Sequence, residues 1–539
     1  MRRLLGILLA FATATLATLG QTNPPAKSRE LSLQDCIELA LRHNLDLQID
    51  RYNPEIQLFT LQAYYGYYDP TLNLSGQHDH SQSGSTILGN GFTVSGATSD
   101  DNSFSAQLNG YLPSGASYTL GTLRPITDTY GTSPATFANT NEPLFFTTNT
   151  IFGITPGGIV PVPVATTNFA SRLGRRSFES SAGSVGLTVS QPLLKNFWID
   201  QTRLNIRVGK NRLRYSEQTL RLQLIQTITS LEQAYFDLIY DRENVLVQEK
   251  AVELAERLVA ENRKKLEVGT LAPLDLQSAE AQAASSRAAV ILARSQLGTQ
   301  ERAVKQLITD SYREWAELEL IPTGTLTAQP PIVNLQESWS KGLTERPELL
   351  QAKLDVERDG LTLKYDRNQL FPELDIFATG GYGGSGKEFS DALHDIEERN
   401  LPFYSYGGRF SFPLSNRSAR NNYKSAKATL AQTLLTLKKL EQQVMVDIDN
   451  DIGTIRANYD QVLATRAARA YQEAALDAEQ KKLESGKSTT YTVLQVQRDL
   501  TSARGSEIQA LDAYNKSLSQ LSLHEGSTLE RLQIDFHMK

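Results

Sequence analysis

Apolar residues Leu224, Ile228, Leu231, Tyr235 and Leu238 recur at spacings of 4, 3, 4 and 3. That is the seam of a helix packed along a partner as a coiled coil. The run that holds it, about 200 to 267, contains no proline and a single glycine. At 1.5 Å per residue it spans about 100 Å, which makes it a rod and not part of a compact globule. It ends at Val268-Gly269-Thr270, and Pro273 opens an Ala- and Gln-rich helical run to about 308. A glycine just past one helix and a proline early in the next mark a helix end and restart, so Lys264–Leu276 is expected to be the bend of a helical hairpin. Upstream, LSLQDCIELALRHNLDLQ from Leu31 reads as an amphipathic helix with Ser32 as N-cap. A second helix runs to about Tyr64 and ends before Asp69-Pro70.

Elsewhere the period drops to two, the signature of strands. Leu72 and Leu74 alternate with polar residues. Phe104, Ala106, Leu108 and Leu112 alternate with Ser105, Gln107 and Asn109, then Pro113-Ser114-Gly115 turns into Tyr118 and Leu120, a hairpin over 103 to 122. Val185, Leu187 and Val189 form another strand. Tyr404, Tyr406, Phe410 and Phe412 alternate with Ser405, Gly407, Arg409 and Ser411, one face aromatic and the other polar, as lipid-facing and lumen-facing sides of a membrane strand would be. The Gly-, Ser-, Thr-, Asn- and Pro-rich stretch from 125 to 180 reads as a long loop with little regular structure.

The chain repeats itself. Asn44-Leu45-Asp46-Leu47 matches Arg346-Pro347-Glu348-Leu349, and Pro70-Thr71-Leu72 matches Pro372-Glu373-Leu374, both at an offset of 302. Ser190-Gln191-Pro192-Leu193 matches Ser411-Phe412-Pro413-Leu414 at 221, and Gly269 matches Gly486 at 217. The fall in offset locates an insertion, residues 81–180, in the first copy. The expected organisation is a first repeat over 31–310 with its tip at 268–273, a linker over 311–334, a second repeat over 335–525 with its tip at 485–489, and a tail over 526–539.

Composition narrows the class. The opening MRRLLGILLAFATATLATLG carries two Arg and then an uncharged apolar run, which reads as a signal peptide over residues 1–20. Removing it takes away Arg2 and Arg3 and moves the formal charge from -6 to -8. A mildly acidic exported chain has no electrostatic reason to bind nucleic acid. One cysteine, Cys36, excludes an internal disulfide. No later stretch is apolar enough for a membrane helix, so any span must be built of β-strands.

These features together resemble the TolC-like outer membrane efflux family, over about 31 to 525. The resemblance rests on the LSLQDCIELALRHNLDL opening, the Tyr-Asp-Pro and Phe-Pro strand entries, SQPLLKNFW and SFPLSN at strand exits, and the tips LEVGTLAPLDL and LESGKSTTYTVLQ. It implies an α+β membrane protein, internally duplicated, with antiparallel coiled-coil helices forming a periplasmic α-barrel and a transmembrane β-barrel shared by a homotrimer. It implies a location in the outer membrane of a Gram-negative-type bacterium, in contact with outer-membrane lipid and extending into the periplasm. The family gives four strands per chain; the hairpin at 103–122 departs from that and could give six, or could fold outside the membrane. Tyr67, Tyr68, Phe197, Trp198, Phe371 and Phe412 are candidates for aromatics at the membrane interface.

The resemblance further implies a passive exit duct of a tripartite efflux or type I secretion system, with no cofactor and no catalysis of its own. An inner-membrane pump would supply the energy and a periplasmic adaptor would dock at the tips, Val268, Gly269, Thr270 and Leu271 and Ser485, Gly486, Lys487 and Ser488. In the family, acidic rings lie six and nine residues beyond the second tip glycine. Counted from Gly486 these places fall on Thr492 and Gln495, neither acidic, which puts a carboxylate cation trap in doubt. Asp275 falls where the family has an Asp that ties helices together. The places of that residue's Tyr and Arg partners are Leu483 and Ser488, and Lys487 beside them could pair with Asp275 instead. A solvated carboxylate and ordinary polar surface residues are the bland readings of these sites. The alternative function is a soluble periplasmic coiled-coil adaptor or structural rod.

Enzymatic chemistry finds no constellation. Gly381-Tyr382-Gly383-Gly384-Ser385-Gly386 matches G-x-G-x-x-G, and a short helix near 388 to 397 could follow, but a dinucleotide site needs a βαβ unit and the next strand returns as a hairpin arm. A flexible extracellular loop is the expectation there. His78-Asp79-His80 offers two imidazoles where a strand runs into a polar loop, which does not amount to a metal site. The exported substrate cannot be read from the chain.

Overall fold

The computed structural model describes residues 28–87, 93–155, 158–269 and 272–534. The expected signal peptide over 1–20, the tip residues Thr270 and Leu271, and the end of the tail lie outside them.

Strand β1 (Ser28–Leu31) leads into helices α1 (Leu33–His43) and α2 (Leu45–Tyr65). A run of strands follows, β2 (Thr71–Gln82), the short β3 (Thr86–Ile87) and β4 (Thr93–Val94), β5 (Thr98–Tyr111), β6 (Ser117–Thr155) and β7 (Gly158–Pro192). Then come α3 (Gln201–Glu267), α4 (Pro273–Ile308), α5 (Tyr312–Trp315), β8 (Glu319–Pro322), α6 (Leu335–Glu345) and α7 (Pro347–Asn368). The chain closes with β9 (Glu373–Gly386), α8 (Phe389–Glu397), β10 (Leu401–Ser411), α9 (Arg417–Glu484), α10 (Thr490–Glu525) and α11 (Thr528–Arg531). None of the described helices is long and apolar enough to cross a membrane.

The chain divides into two compact units, residues 1–54, 216–352 and 437–539 in one and 55–215 and 353–436 in the other. The first is helical, apart from β1 and β8 paired in parallel. Ser32 caps α1, accepting from the Asp35 amide while Asp35 accepts from the Ser32 amide. The five seam residues of α3 are all buried, 3% exposed or less, in a core with Ile37 of α1, Val304 of α4, Ile448 and Ile455 of α9 and Tyr514 of α10. Tyr235 is buried with its hydroxyl satisfied, donating to the Leu31 carbonyl at 3.0 Å and accepting from the Gly324 amide at 3.1 Å. Arg263–Glu280, Arg287–Glu256 and Arg294–Glu249 pairs, at 3.0, 2.7 and 2.7 Å, run along α3 and α4. Those exposed pairs fix alignment more than stability. A second, smaller apolar cluster joins Leu258, Leu476, Val493, Leu494 and Leu500.

The second unit is built on one antiparallel sheet of six strands, in the order β10, β9, β7, β6, β5, β2. The stretch from 125 to 180, expected as loop, is strand instead: β6 and β7 pair with each other from Ser117 with Ser190 out to Thr155 with Gly158. The glycine run at 381–386, expected as a flexible loop, belongs to β9. Its glycines seat α8, which packs back on the sheet with Phe389 edge-on to Phe104 at 5.6 Å. A Cβ on Gly384 would lie 1.9 Å from the Ala392 carbonyl oxygen, so a side chain there would push α8 off.

Candidate functional site

The register of the sheet sorts its side chains into two faces, because residues directly opposite in antiparallel strands point the same way. One row crosses all six strands through Leu72, Leu108, Leu120, Leu187, Gly380 and Tyr404. The neighbouring row on the opposite face is Thr71, Asn109, Thr119, Thr188, Thr379 and Ser405. Thr188 and Thr379 hydroxyls sit 3.1 Å apart. The apolar face continues through Leu74, Val189, Ile376, Tyr406 and Phe410. Much of it is bare, with Leu74 71%, Tyr404 83% and Tyr406 81% exposed. A soluble protein does not leave a contiguous apolar surface of this width in water. The hairpin at 103–122 lies inside this sheet as β5 and the start of β6, and carries both rows forward. The sheet has six strands, not four.

The expected interface aromatics gather at one end of the sheet. Tyr67 and Tyr68 precede β2, Phe197 and Trp198 follow β7, Phe371 precedes β9, and Phe412 follows β10. Tyr67 stacks on Tyr111, ring centroids 4.5 Å apart, and Phe197 meets Trp198 edge-on at 5.0 Å. Tyr111 was not singled out by the sequence, although it closes β5 just before the Pro113-Ser114-Gly115 turn. At the other end, His80 Nδ1 lies 2.6 Å from Asp100 and His78 Nδ1 2.9 Å from Asn102, cross-strand pairs in place of ligands. Among the described residues no group of three or more His, Cys, Asp or Glu is placed to hold a metal ion.

The helical tips are built as glycine-terminated helices. Gly269 and Gly486 take φ of 76° and 72°, the left-handed region that glycine reaches without strain. The Gly269 amide donates to the Leu266 carbonyl at 2.9 Å, and the Lys487 amide to the Lys482 carbonyl at 2.8 Å. Val268, Ser485 and Lys487 are exposed. Thr489 caps α10, accepting from the Thr492 amide at 3.3 Å, with the two hydroxyls 2.9 Å apart. Thr492 is half-buried and Gln495 exposed. Asp275 sits in the first turn of α4, where a carboxylate complements the helix dipole. Within one chain Asp275 and Lys487 form no ion pair, and the ionic contacts at the second tip are local to it. Glu479 takes the Ser488 hydroxyl and, at 3.0 Å, the Lys482 ammonium. The hydroxyl first and the ammonium second hold the Glu479 carboxyl below its usual range.

Comparison with known proteins agrees with this geometry. The profile of the family described as outer membrane efflux protein matches residues 165–309 and 339–527. The chain belongs to that family. Its relatives include the outer membrane efflux protein BepC of Brucella suis biovar 1, 24% identical over 338 residues, 61% of this chain and 69% of the relative. The outer membrane protein TolC of Vibrio cholerae is 22% identical over 358 residues, 64% of this chain and 78% of that protein. Among solved structures, the VceC outer membrane protein of Vibrio cholerae superposes with a TM-score of 0.62 at 15% identity, covering 92% of this chain and 96% of that one. The CmeC outer membrane channel of Campylobacter jejuni gives 0.62 at 14% identity, covering 97% and 96%. The chain is thus an outer-membrane efflux channel by family, TolC-like, and shares its fold with solved outer membrane channels.

Proposed function

We propose that three copies of the chain close their sheets into one transmembrane barrel and form the passive exit duct of a tripartite exporter. The observation that carries this is the pair of rows: an apolar face six strands wide, suited to lipid, backed by a face of Thr, Asn and Ser suited to a water-filled lumen. The edges β2 and β10 each have one partner, and an open edge is not tolerated in hydrocarbon. Six is an even number, so β2 of one copy meets β10 of the next antiparallel and the ring closes without a parallel joint. Three copies would make a ring of eighteen strands, in the range that leaves an aqueous channel.

On this reading Tyr67, Tyr68, Tyr111, Phe197, Trp198, Phe371 and Phe412 form the periplasmic aromatic belt. The helices of the duplicated repeats extend into the periplasm, where Val268 and Gly269 with Ser485–Ser488 meet a periplasmic adaptor joined to an inner-membrane pump. Thr492 and Gln495 line the closed end without carboxylates, and pairing of Asp275 with Lys487 would have to be between copies. A soluble periplasmic rod would leave the apolar face in water, which disfavours it.

The test is the mature protein purified in detergent. A trimer by light scattering, heat-modifiable gel migration and single-channel conductance in planar bilayers are expected. A monomer soluble without detergent, or trimers that never conduct, would refute the duct.

A further inference from the structure

Charged side chains are few on the polar face of the sheet. Near the aromatic end, Lys195 pairs with Glu373 and Arg409 with Asp375, each at 3.6 Å. At the far end Asp79 opposes Asp101, and Gln77 donates to Asp79 at 2.8 Å. Between these levels stands Arg124. It is exposed and makes no ion pair among the described residues.

Arg124 is there because β6 is bulged. Pairing with β7 slips between Thr122 and Arg124 and again between Arg124 and Thr127, and pairing with β5 slips between Phe104 and Gln107. A bulge leaves extra residues unpaired and re-aims their side chains. Here Leu123 and Pro125, which the slips leave without a partner, and Arg124, which stays opposite Ser184 of β7 but has no partner on β5, line a cavity of about 1220 Å³ on the polar side of the sheet, with Thr119, Thr188 and Phe403 among its walls. The cavity thus presents one guanidinium, several hydroxyls and a few apolar surfaces. A guanidinium offers a planar fork of donors that matches carboxylate and phosphate oxygens, and hydroxyls add further donors.

We propose that the β6 bulge is a ledge in the duct on which Arg124 binds the anionic group of small organic anions in transit, carboxylates or phosphates carrying an apolar body. In a ring of three copies the three Arg124 side chains form a cationic girdle, and rings of Arg favour anions in a pore. The inference rests on the trimeric duct reading, since only closure of the ring makes the polar face a lumen.

The experiment compares wild-type trimers with Arg124→Ser, Arg124→Glu and Arg124→Lys in planar bilayers. It reads the reversal potential in a KCl gradient and the block of current by pyrophosphate as the anionic probe. Each variant first has to show the heat-modifiable migration of the folded barrel. Arg124→Ser is expected to lower chloride permeability relative to potassium by about twofold or more and to weaken pyrophosphate block. Arg124→Glu should go further, and Arg124→Lys should stay near wild type. The other charged groups of the polar face, Asp79 and Asp101 among them, are common to all variants, so the change isolates Arg124. Conducting Arg124→Ser and Arg124→Glu channels with unchanged reversal potential and block would overturn the girdle and leave the duct standing. Wild-type trimers that do not conduct would overturn both.

Discussion

Asp241 of α3 gives the sharpest pH test of the helical unit. It faces Asp237 one turn back on its own helix and Asp512 on α10, with Lys516 as the cation among them. Lys516 donates to Asp512 at 2.8 Å and also to Asp237, while the other Asp512 carboxylate oxygen is buried without a hydrogen-bond partner. The Tyr240 phenol adjoins the group. Burial, and then repulsion from Asp237 and Asp512, push the Asp241 carboxyl up to about 6 against the pull of Lys516. Burial raises the Asp512 carboxyl as well. Burial works against the Lys516 charge, but the bonds to Asp237 and Asp512 outweigh it and hold that ammonium above its usual range.

The folded carboxyl of Asp241 therefore binds its proton more tightly than the unfolded one, whose value is 3.8. Its favourable contribution is complete below about 4 and is lost as pH rises through about 6, after which the ionised group is a standing cost. Two units would be about 3 kcal/mol; Asp241 is only partly buried, and the solvent it still reaches reduces the expectation to about 1 kcal/mol. Asp241→Asn removes the charge. It should raise the thermal midpoint of detergent-solubilised protein, followed by loss of helical circular dichroism, at pH 8 and not at pH 4, with the gain opening between those values. An equal gain at both pH values, or none at pH 8, would refute the reasoning.

The C-terminal helix supplies a second test. Arg531 of α11 grips both Glu232 oxygens, at 2.6 and 2.7 Å, and Glu232 is fully buried. Arg531→Ala should cost about 2–3 kcal/mol, below the figure for a fully buried pair because water can reach the vacated Arg531 site, and Glu232→Gln in that background should recover part of it in the same melting assay. At the second tip, multivalent cations added from the periplasmic side should block the wild-type channel weakly, and Gln495→Asp should strengthen the block in single-channel recordings. Strong block of the wild type, or an unchanged variant, would remove Gln495 from the aperture.

Features set by local chemistry were legible in the sequence. The tips could be found because a left-handed residue selects glycine, and Gly269 and Gly486 have that backbone; at the first tip the next helix also starts on a proline, Pro273. The α3 seam could be found because burial repeats with the helix period, and the short helix after the glycine run stands at Phe389–Glu397. What depends on a distant partner was hidden. Asp241 and Asp512 are far apart in sequence, and neither carries a local mark of the other. Arg124 looked like the edge of a loop, since a bulge is defined only against the strands it slips from.

The stretch from 125 to 180 misled for a related reason. The expectation of a loop comes from the composition, which includes Pro134, Pro143, Pro161 and Pro163, and proline breaks a central strand. β5 accompanies β6 only as far as Thr132, however, and β9 accompanies β7 only from Ser181 onward. All four prolines lie beyond those limits, where among the described residues β6 and β7 pair with no strand but each other and each keeps one free edge. A proline there forfeits no ladder bond if its missing N–H is on the free side, so the composition of a loop and the pairing of a hairpin are compatible. The same logic explains the strand count. Alternation alone showed that Leu108 and Leu120 face one way, but a hairpin outside the membrane would alternate as well. Only the register, which places them in one row between Leu72 and Leu187, makes the inserted hairpin part of the surface offered to lipid and gives the proposed ring its extra width.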